Sequence, residues 1–478
     1  MKFKQLLKDS SIYGGADFIS KILSFFAFPI IAAALSSKAF GALELIFTVT
    51  ALFGMAMSCG LNNAVQRFYW CKNTTPAMQP VIVSSGFIAQ FGFGILAVFF
   101  GGLAIPFVMP YIQAAEWPLS WIALVAALLV MALSQFSQYA LDVTRLHFAP
   151  WRFFLLAMTS RVLTMAFGIL AVVVLGLGID GLLTAQALVL IMVIPLALWL
   201  IRKDFQPKRI EYSQIKELVQ FGYPFIFAGI AYWLFGAMDR WMLASMISVE
   251  EVGIYSVAFR FASVVVFVAT AFGQAWAPLV FKLQKEYPET YRNLYGQVLL
   301  LFLFVMLLAG GGLALFSGEV ISLIMPAEYH ASALPLAILC FGFILQATQQ
   351  VTAVGISLEK KTFLFARLAW LTAVVNFVSN WFLIPDFGAV GAAWATLIAY
   401  VVLTGSYLHY TQRLHPMVVQ WLRLSSLVLL GALVALVSVM TVSLQLDWQV
   451  VAGKISLALF CLILGWKLSP LHSLRGVN

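Results

Sequence analysis

Seven ionisable residues lie within stretches of the chain that are otherwise apolar, and they are the residues best suited to chemistry. Four are bases and three are acids: Lys21, Arg161, Arg240, Arg260, Asp17, Glu44 and Asp239. A charge at the centre of a membrane-spanning helix costs about 2.5–3.5 kcal/mol, so each side chain must face a polar cavity or a partner. The bases suit binding of a polar or anionic solute, and the acids suit ion coupling or charge pairing.

Each of these charges allows two interpretations. Asp17 and Lys21 are four residues apart with the acid first, which places them on one helix face. They form either an internal ion pair or a pair that an anionic ligand, or protonation of Asp17, opens. Asp239 and Arg240 are adjacent and are expected to point apart, towards a neighbouring helix or a ligand. Arg161 has no acid within one helical turn. It is therefore the strongest candidate for a cation that faces substrate, the alternative being a partner on another helix.

Glutamine pairs recur inside two of the apolar stretches. Gln135 and Gln138 are followed 211 residues later by Gln346 and Gln349. Polar side chains within a membrane bundle often hydrogen-bond between helices, at about 0.6 kcal/mol each. The alternative is that these amides line a cavity and bind a hydroxyl-rich sugar, because an amide both donates and accepts hydrogen bonds.

The elements that position these residues are predicted to be membrane-spanning helices. Hydrophobic residues make up 63% of the chain and charged residues 10%, with a mean hydropathy of +0.98. Fourteen apolar stretches each approach or exceed the roughly 20 residues that cross a bilayer. The predicted fold is therefore an all-α integral membrane protein with about 14 transmembrane helices. Lys454 lies near the start of the last stretch and is expected to extend outward to the membrane surface.

Positive charge falls in every second gap between these stretches. One set of gaps holds 22 bases, whereas the other set holds Lys38 and eight acids. The positive-inside rule then predicts that the N- and C-termini are both cytoplasmic. The net charge of +9 reflects this topology and attraction to anionic lipids, so nucleic acid is not an expected partner.

Short motifs that recur at an offset of 210–212 residues indicate an internal repeat. An example is Gly178-Ile-Asp-Gly181, which returns as Gly388-Ala-Val-Gly391. Two lobes of this kind, related by a pseudo-two-fold axis along the membrane normal, predict a substrate cavity between them. The predicted divisions are an N-terminal six-helix lobe at 1–201, a cytoplasmic basic linker at 202–217, a C-terminal six-helix lobe at 218–410, and two extra helices with a cytoplasmic tail at 411–478.

Several sequence patterns of enzymes and metalloproteins are missing. The sequence has no Gly-x-x-x-x-Gly-Lys-Ser/Thr loop, and its five histidines are scattered rather than clustered with cysteines. No Ser-His-Asp arrangement can be placed. We therefore expect a transporter rather than an enzyme, without a metal or an organic cofactor, although coupling to H⁺ or Na⁺ remains open.

The chain carries three sets of short motifs, which are Leu35–Gly41 with Cys59–Tyr69, Asp239-Arg240 with Glu251–Ser256, and Val375–Thr396. These motifs resemble the Wzx-type polysaccharide flippases of the multidrug/oligosaccharidyl-lipid/polysaccharide (MOP) exporter superfamily, and the similarity runs over nearly the whole chain. The resemblance implies movement of an undecaprenyl-diphosphate-linked oligosaccharide across the bacterial inner (cytoplasmic) membrane by alternating access. Such a cargo is a repeat unit of lipopolysaccharide O-antigen, capsule or exopolysaccharide. By position, the resemblance also assigns substrate contacts to Lys21 and to Asp239-Arg240.

Two other functions compete with this interpretation. One is an ion-coupled multidrug exporter of the same superfamily, for which an acid-dominated pocket on twelve spans is more typical. The other is a membrane glycan polymerase or ligase, which usually needs a large outer loop, whereas the longest outer gap here is 317–331. The expected partners are the lipid-linked oligosaccharide, membrane lipids and other glycan-assembly proteins.

Overall fold

The computed structural model describes residues 3–71, 74–206, 209–361, 363–444 and 447–468. Within these helices, the side chains of residues 3–11, 17, 228, 232 and 278 lie outside the described part. The described residues form helices and short connections, and they contain no β-strand. The predicted all-α class is confirmed.

Eighteen α-helices follow one another along the described chain. They are α1 Phe3–Ala33, α2 Ser37–Ser58, α3 Leu61–Tyr69, α4 Gln79–Ala114, α5 Trp121–Leu146, α6 Pro150–Ile169, α7 Gly178–Ile201, α8 Tyr212–Gly222, α9 Pro224–Met246, α10 Val249–Ala262, α11 Val264–Glu286, α12 Tyr291–Leu315, α13 Ser317–Ile324, α14 Ala333–Thr352, α15 Val354–Leu358, α16 Phe363–Leu414, α17 Trp421–Met440 and α18 Trp448–Leu468. A π-helical turn, Leu170–Val174, extends α6, and a 3₁₀ turn, Ala327–Ser332, precedes α14.

Most of these helices are long and apolar enough to cross a bilayer. Among the described residues 12 helical segments meet that condition, or 13 when the bent pair Tyr212–Ala231 and Trp233–Met246 is taken as one span. Helices dominate because hydrocarbon offers no water to backbone N–H and C=O groups, which must therefore pair within each segment. A multi-pass membrane protein is thus confirmed, while the count of fourteen stays a prediction.

Helix α16 contains the feature that bears on that count. Its 52 residues would extend about 78 Å as one straight helix, more than twice the hydrocarbon thickness. The backbone leaves the helical conformation at Gly388, with φ 52° and ψ −131°. A Cβ built on Gly391 would also strike the carbonyl of Leu383, so the chain doubles back there. The segment is a helical hairpin with room for two crossings.

The hairpin carries one copy of the repeated glycine motif, and both copies have a glycine with positive φ at the matching position. Gly178 begins α7 with φ 58°, and its counterpart Gly388 has φ 52°. Both lie in the left-handed region, where glycine has no steric penalty. The two motifs therefore share a positive-φ glycine as well as their sequence pattern.

The chain divides into two compact units, Met1–Trp233 and Leu234–Asn478. Helix α8 belongs to the first unit, where its buried Leu218 joins the core that α3, α4 and α5 form. The first part of α9 is tied to the same unit by Trp233, whose Nε1 donates to the carbonyl of Thr48 at 2.7 Å. The lobe bounds derived from the sequence stay a prediction.

Among the described residues, a histidine contacts a carboxylate in each unit at corresponding places in the repeat. In the first unit His147 Nε2 lies 2.8 Å from Asp204 Oδ1, and it joins the end of α5 to the chain after α7. In the second unit His415 Nδ1 lies 3.1 Å from Glu359 Oε1, and it joins the end of α16 to the chain after α15. Glu359 and His415 follow His147 and Asp204 by 212 and 211 residues, so the same contact occurs with its partners exchanged.

Lys454 does not extend to the membrane surface, and that expectation was wrong. Its side chain is 1% exposed, and Nζ lies 2.6 Å from Glu319 Oε1. The pair joins α18 to α13 within the second unit. The ammonium group of Lys454 is paired with the Glu319 carboxylate instead of with water at the membrane surface.

Candidate functional site

The first unit brings Lys21 and Arg161 to one level on neighbouring helices. Helix α1 packs along α6 and reaches the π-helical turn Leu170–Val174. The centres of the Tyr13 and Phe153 rings lie 5.2 Å apart, near the start of both helices. Because α1 also reaches the turn at the far end of α6, the two helices run parallel. Lys21 and Arg161 each follow those rings by eight residues, which is about 12 Å of helix rise. The two cations are therefore at the same depth.

Both side chains are exposed on the described structure. No hydrogen bond or ion pair links Arg161 to a described residue, which leaves its guanidinium group open to a ligand. The side chain of Asp17 lies outside the described residues, so its pairing with Lys21 stays a prediction. Glu44 is buried in α2, and its ion-coupling role also stays a prediction.

In the second unit, Asp239 and Arg240 form a buried polar network. A carboxylate oxygen of Asp239 accepts a hydrogen bond from the Tyr255 hydroxyl, which also lies 3.1 Å from the Thr396 hydroxyl. Arg240 Nη1 lies 3.5 Å from Asp239 Oδ1 and donates to the Gly236 carbonyl at 2.8 Å. This network ties α9 to α10 and to the second arm of α16.

The expectation that Asp239 and Arg240 point apart was wrong. The Arg240 side chain is long enough to turn back along α9, and its guanidinium lies 4.7 Å from the Phe259 ring centre. Its Nε also donates to the Ser256 hydroxyl at 3.3 Å. A buried charge is stable only when it is paired and hydrogen-bonded, and these contacts meet that requirement. Arg260 is half-buried near the end of α10, and its substrate role, like that of Arg240, stays a prediction.

The second unit also contains a cavity of about 490 Å³ lined by Gln346, Gln349 and Gln350. Gln349 Nε2 donates to the Thr404 hydroxyl at 3.1 Å, which fixes that amide. The Oε1 atom of Gln346 is buried and has no hydrogen-bond partner among the described residues. A buried acceptor without a donor is costly, so this cavity is suited to a ligand or water that donates.

The glutamines of the first unit are arranged differently. The side chain of Gln135 fills the space beside Gly54, and its backbone carbonyl accepts from Gln90 Nε2 at 3.2 Å. Gln138 is exposed, and its amide donates to Asp142 Oδ1 at 3.1 Å. Gln135 thus packs between helices here, whereas Gln346 and Gln349 line a cavity.

Sequence reasoning did not single out Tyr255 or Thr396 as members of the buried network. Tyr255 lies in the Glu251–Ser256 motif and Thr396 ends the Val375–Thr396 motif, so the motifs carried the signal. Helix α16 also contains a buried amide pair, in which Asn380 Nδ2 donates to Asn376 Oδ1 at 3.1 Å. Among the described residues, no group of three or more His, Cys, Asp or Glu side chains could hold a metal ion.

A family model described as a polysaccharide biosynthesis protein matches residues 6–284, more than half of the chain. The chain belongs to this family. Among curated proteins, it is 23% identical over 262 residues to a probable low-salt glycan biosynthesis flippase, Agl15, of Haloferax volcanii. That match covers 54% of this chain and 56% of the relative, so it spans about half the relative's length.

Solved structures share the fold of this family member. The lipid II flippase MurJ in an inward closed conformation superposes with a TM-score of 0.74 at 13% identity, over 98% of this chain and 99% of that one. An inward-facing multidrug resistance MATE transporter of the MOP superfamily superposes with a TM-score of 0.63 at 14% identity, over 85% and 95%. The predicted membership of a polysaccharide biosynthesis family is confirmed by the family model. The solved structures show a shared fold, and the relatives named here are flippases and a transporter.

Proposed function

We propose that the protein is a flippase that moves a lipid-linked oligosaccharide from one leaflet of a membrane to the other. The observation that carries this proposal is the parallel packing of α1 and α6, which holds Lys21 and Arg161 at one depth inside spanning helices. Two cations at one level suit a diphosphate group. Family membership and a fold shared with MurJ over almost the whole chain support the same function.

The proposed mechanism follows from the cost of moving a glycan through hydrocarbon. Each sugar hydroxyl would lose its water partners, at a cost of about 2–7 kcal/mol for a group without a replacement hydrogen bond. Lys21 and Arg161 neutralise the diphosphate. Amide side chains can replace water around the sugar, because an amide both donates and accepts hydrogen bonds. The prenyl tail needs no such help because it stays in lipid. Exchange of access between the two membrane faces then completes the transfer.

The finer features of the function come from the charge pattern and the family resemblance. We place the protein in the inner membrane of a bacterium with both termini in the cytoplasm, since 22 bases fall in one set of gaps. The cargo is then an undecaprenyl-diphosphate-linked repeat unit of O-antigen, capsule or exopolysaccharide. Other glycan-assembly proteins, which would supply or consume that unit, are its proposed partners.

The first test substitutes the two cations. Lys21→Ala and Arg161→Ala are each expected to reduce the initial flipping rate by about 10- to 100-fold, because a charge-assisted hydrogen bond contributes about 1.5–3 kcal/mol. The probe is the lipid-linked oligosaccharide that accumulates in a strain lacking the gene, identified by mass spectrometry. The measurement is its appearance on the far side of proteoliposomes that contain the purified protein.

The matched control is Lys285→Ala, which removes an exposed base from the last turn of α11. It is expected to flip at the rate of the unaltered protein. Arg161→Lys, which keeps the charge, should recover part of the lost rate. Full flipping by both alanine variants would reject the assignment of these cations.

We further propose that net movement is coupled to H⁺ or Na⁺ through an embedded carboxylate, with Asp239 as the first candidate. Asp239 contacts Arg240 on α9 and Tyr255 on α10, and the Tyr255 hydroxyl in turn contacts Thr396 on α16. A change in the charge of Asp239 would therefore alter the contacts between these three helices. Asp239→Asn, alone or with Arg240→Gln to preserve charge balance, should make flipping insensitive to an imposed gradient. If the double variant still responds to the gradient, Asp239 is not the coupling carboxylate, and Glu44 or Asp17 becomes the candidate.

A multidrug exporter is the second candidate function, because MATE transporters share the fold. That likeness is one of fold alone. A drug cation would be repelled by Lys21 and Arg161, so the charges of the first unit favour the glycan lipid. The discriminating measurement is the ethidium tolerance of a strain with and without the gene. Equal tolerance is expected, and a gene-dependent increase would favour the exporter.

A further inference from the structure

The first unit contains a second polar cavity, which the proposed function has not used. It has a volume of about 410 Å³ and lies where α3 and α5 end together. The polar and aromatic side chains that line it include Asn62, Asn63, Gln66, Trp70, Asp142 and Arg145. The first three come from the Cys59–Tyr69 motif, to which no role has been given so far.

Two polar groups in this cavity are ready to bind a ligand. The Oδ1 atom of Asn62 is buried and lacks a hydrogen-bond partner among the described residues. Asp142 accepts from Gln138 Nε2 at 3.1 Å and from Arg145 Nη1 at 3.4 Å, and both contacts use Oδ1. Its second oxygen therefore remains for a ligand. Asn62 and Asp142 both accept hydrogen bonds, so they require a ligand that donates.

An aromatic surface lies beside these polar groups. Trp70 is 57% exposed, and its ring centre is 5.9 Å from that of Phe148. The Arg145 guanidinium lies 4.4 Å from the centre of the Phe153 ring, which holds it in position. An exposed indole offers a flat apolar surface together with one polar N–H group. The cavity thus combines a ring-sized apolar surface with amide, carboxylate and guanidinium groups.

This combination fits a sugar better than a phosphate. The ionic groups of the lining are balanced, and Asp142 would repel an anion. A sugar hydroxyl both donates to a carboxylate or amide oxygen and accepts from an amide or guanidinium N–H, so one hydroxyl can use either kind of group. The C–H face of the same ring would cover Trp70. The volume also lies within the range of about 300–1,000 Å³ that is usual for small-ligand sites.

The internal repeat supports a built site rather than a packing defect. The 490 Å³ cavity of the second unit occupies the corresponding place, since Trp70 and Asp142 match Phe281 and Ala353 at an offset of 211 residues. The two cavities differ in chemistry, because the second has alanine where the first has Asp142. The ion pair of Asp142 and Arg145 is therefore particular to the first unit.

We propose that this cavity is a sugar subsite, in which Asn62, Gln66 and Asp142 hydrogen-bond the glycan and Trp70 covers one of its rings. The proposal rests on the proposed function and adds to it the residues that select the glycan. The subsite binds the sugar without the diphosphate, which distinguishes it from Lys21 and Arg161. Its position beside Arg67 and Arg145 places it, by the charge pattern, at the cytoplasmic end of the unit, where the glycan arrives.

The test uses the glycan without its lipid. Mild acid releases it from the lipid-linked oligosaccharide that accumulates in the strain lacking the gene, and calorimetry measures its binding to the full-length protein in nanodiscs. Asn62→Ala, Gln66→Ala, Asp142→Asn and Trp70→Ala are each expected to weaken binding by about 3- to 10-fold, the effect of one net hydrogen bond or comparable contact. In flipping assays, these variants should raise KM and leave kcat unchanged.

The control is Asn293→Ala, which removes an exposed amide from the start of α12 that lines neither cavity. It should bind the glycan like the unaltered protein. Because Asp142→Asn keeps the shape of the side chain, weaker glycan binding by this variant is not explained by misfolding. A thermal unfolding curve checks that each variant is folded. Unchanged binding in Asn62→Ala and Asp142→Asn, or no binding of the glycan by the unaltered protein, would overturn the subsite. Failure of the unaltered protein to flip the lipid-linked form would instead overturn the proposed function.

Discussion

At the scale of single residues, burial decides which charges are structural. Lys454 and Glu319 are 135 residues apart, and their side chains are 1% and 11% exposed. The attraction between the two charges is offset by the cost of removing both from water. The pair therefore affects stability mainly when one partner is removed and the other charge stays buried. In contrast, Arg161 is exposed and has no partner among the described residues, which is the condition expected of a binding residue.

Removal of one partner from the buried pair should therefore be more harmful than removal of both. Lys454→Met leaves Glu319 buried without a counter-charge, and it is expected to destabilise the protein by about 3–5 kcal/mol. The double variant Lys454→Met with Glu319→Gln should recover most of that loss. The measurement is the fraction of protein that remains monodisperse after heating in detergent. Equal losses in the single and double variants would show that the charge itself is not the cause.

At the scale of elements, the hairpin in α16 depends on one glycine. Glu251 Oε2 accepts the N–H of Ala389 at 2.7 Å, and a Cβ on Gly388 would lie 2.7 Å from that same oxygen. A side chain at Gly388 would also have to adopt φ 52° with ψ −131°, a sparsely populated conformation that costs about 1–3 kcal/mol. The Glu251 carboxylate thus links α10 to the turn of α16.

Gly388→Ala should therefore lower stability by at least about 1 kcal/mol, from backbone strain and from displacement of Glu251. The matched control is Gly405→Ala in the second arm of α16, where a Cβ would meet nothing within 4 Å. That change should be neutral or slightly stabilising, because alanine favours a helix over glycine by about 0.5–1 kcal/mol. Thermal unfolding in detergent compares the two variants. A smaller loss at position 388 than at 405 would contradict this account.

The long apolar helices were predictable because a bilayer imposes their length and internal hydrogen bonding. Gly388 and Gly178 were found from the repeat alone. The pairing of Lys454 with Glu319 was not, since a sequence carries no distance between residues so far apart. The repeat also placed Gln135 and Gln346 in equivalent positions. It did not predict that Gln135 packs between helices whereas Gln346 lines a cavity, because the sequence does not show which distant residues surround each amide.

At the scale of the whole molecule, the two units share a plan and differ in detail. The His147–Asp204 contact of the first unit corresponds to the Glu359–His415 contact of the second, with the partners reversed. In both units the contact holds the chain that follows the fourth span to the end of the sixth, counting the arms of α16 as two. The place of the contact, rather than the identity of each residue, is what the two units have in common.

If the contact alone matters, its partners should be exchangeable. His147→Ala is expected to lower stability by about 1.5–3 kcal/mol, the value of a hydrogen bond to a charged group. The exchange of His147→Asp with Asp204→His should restore more than half of that loss. The measurement is the midpoint of thermal unfolding for the two variants and the unaltered protein. An exchanged variant as unstable as His147→Ala would show that the local surroundings, including Tyr69, require the original order.

This reversal also constrains the ancestry of the chain. If one ancestral half was duplicated, both copies began with the same order of partners, and one copy later inverted it. No single substitution achieves that inversion, because the intermediate pairs two acids or two imidazoles. If the ancestral half already carried this contact, the lineage passed through a form in which one unit lacked it, and the rest of the fold had to tolerate that loss.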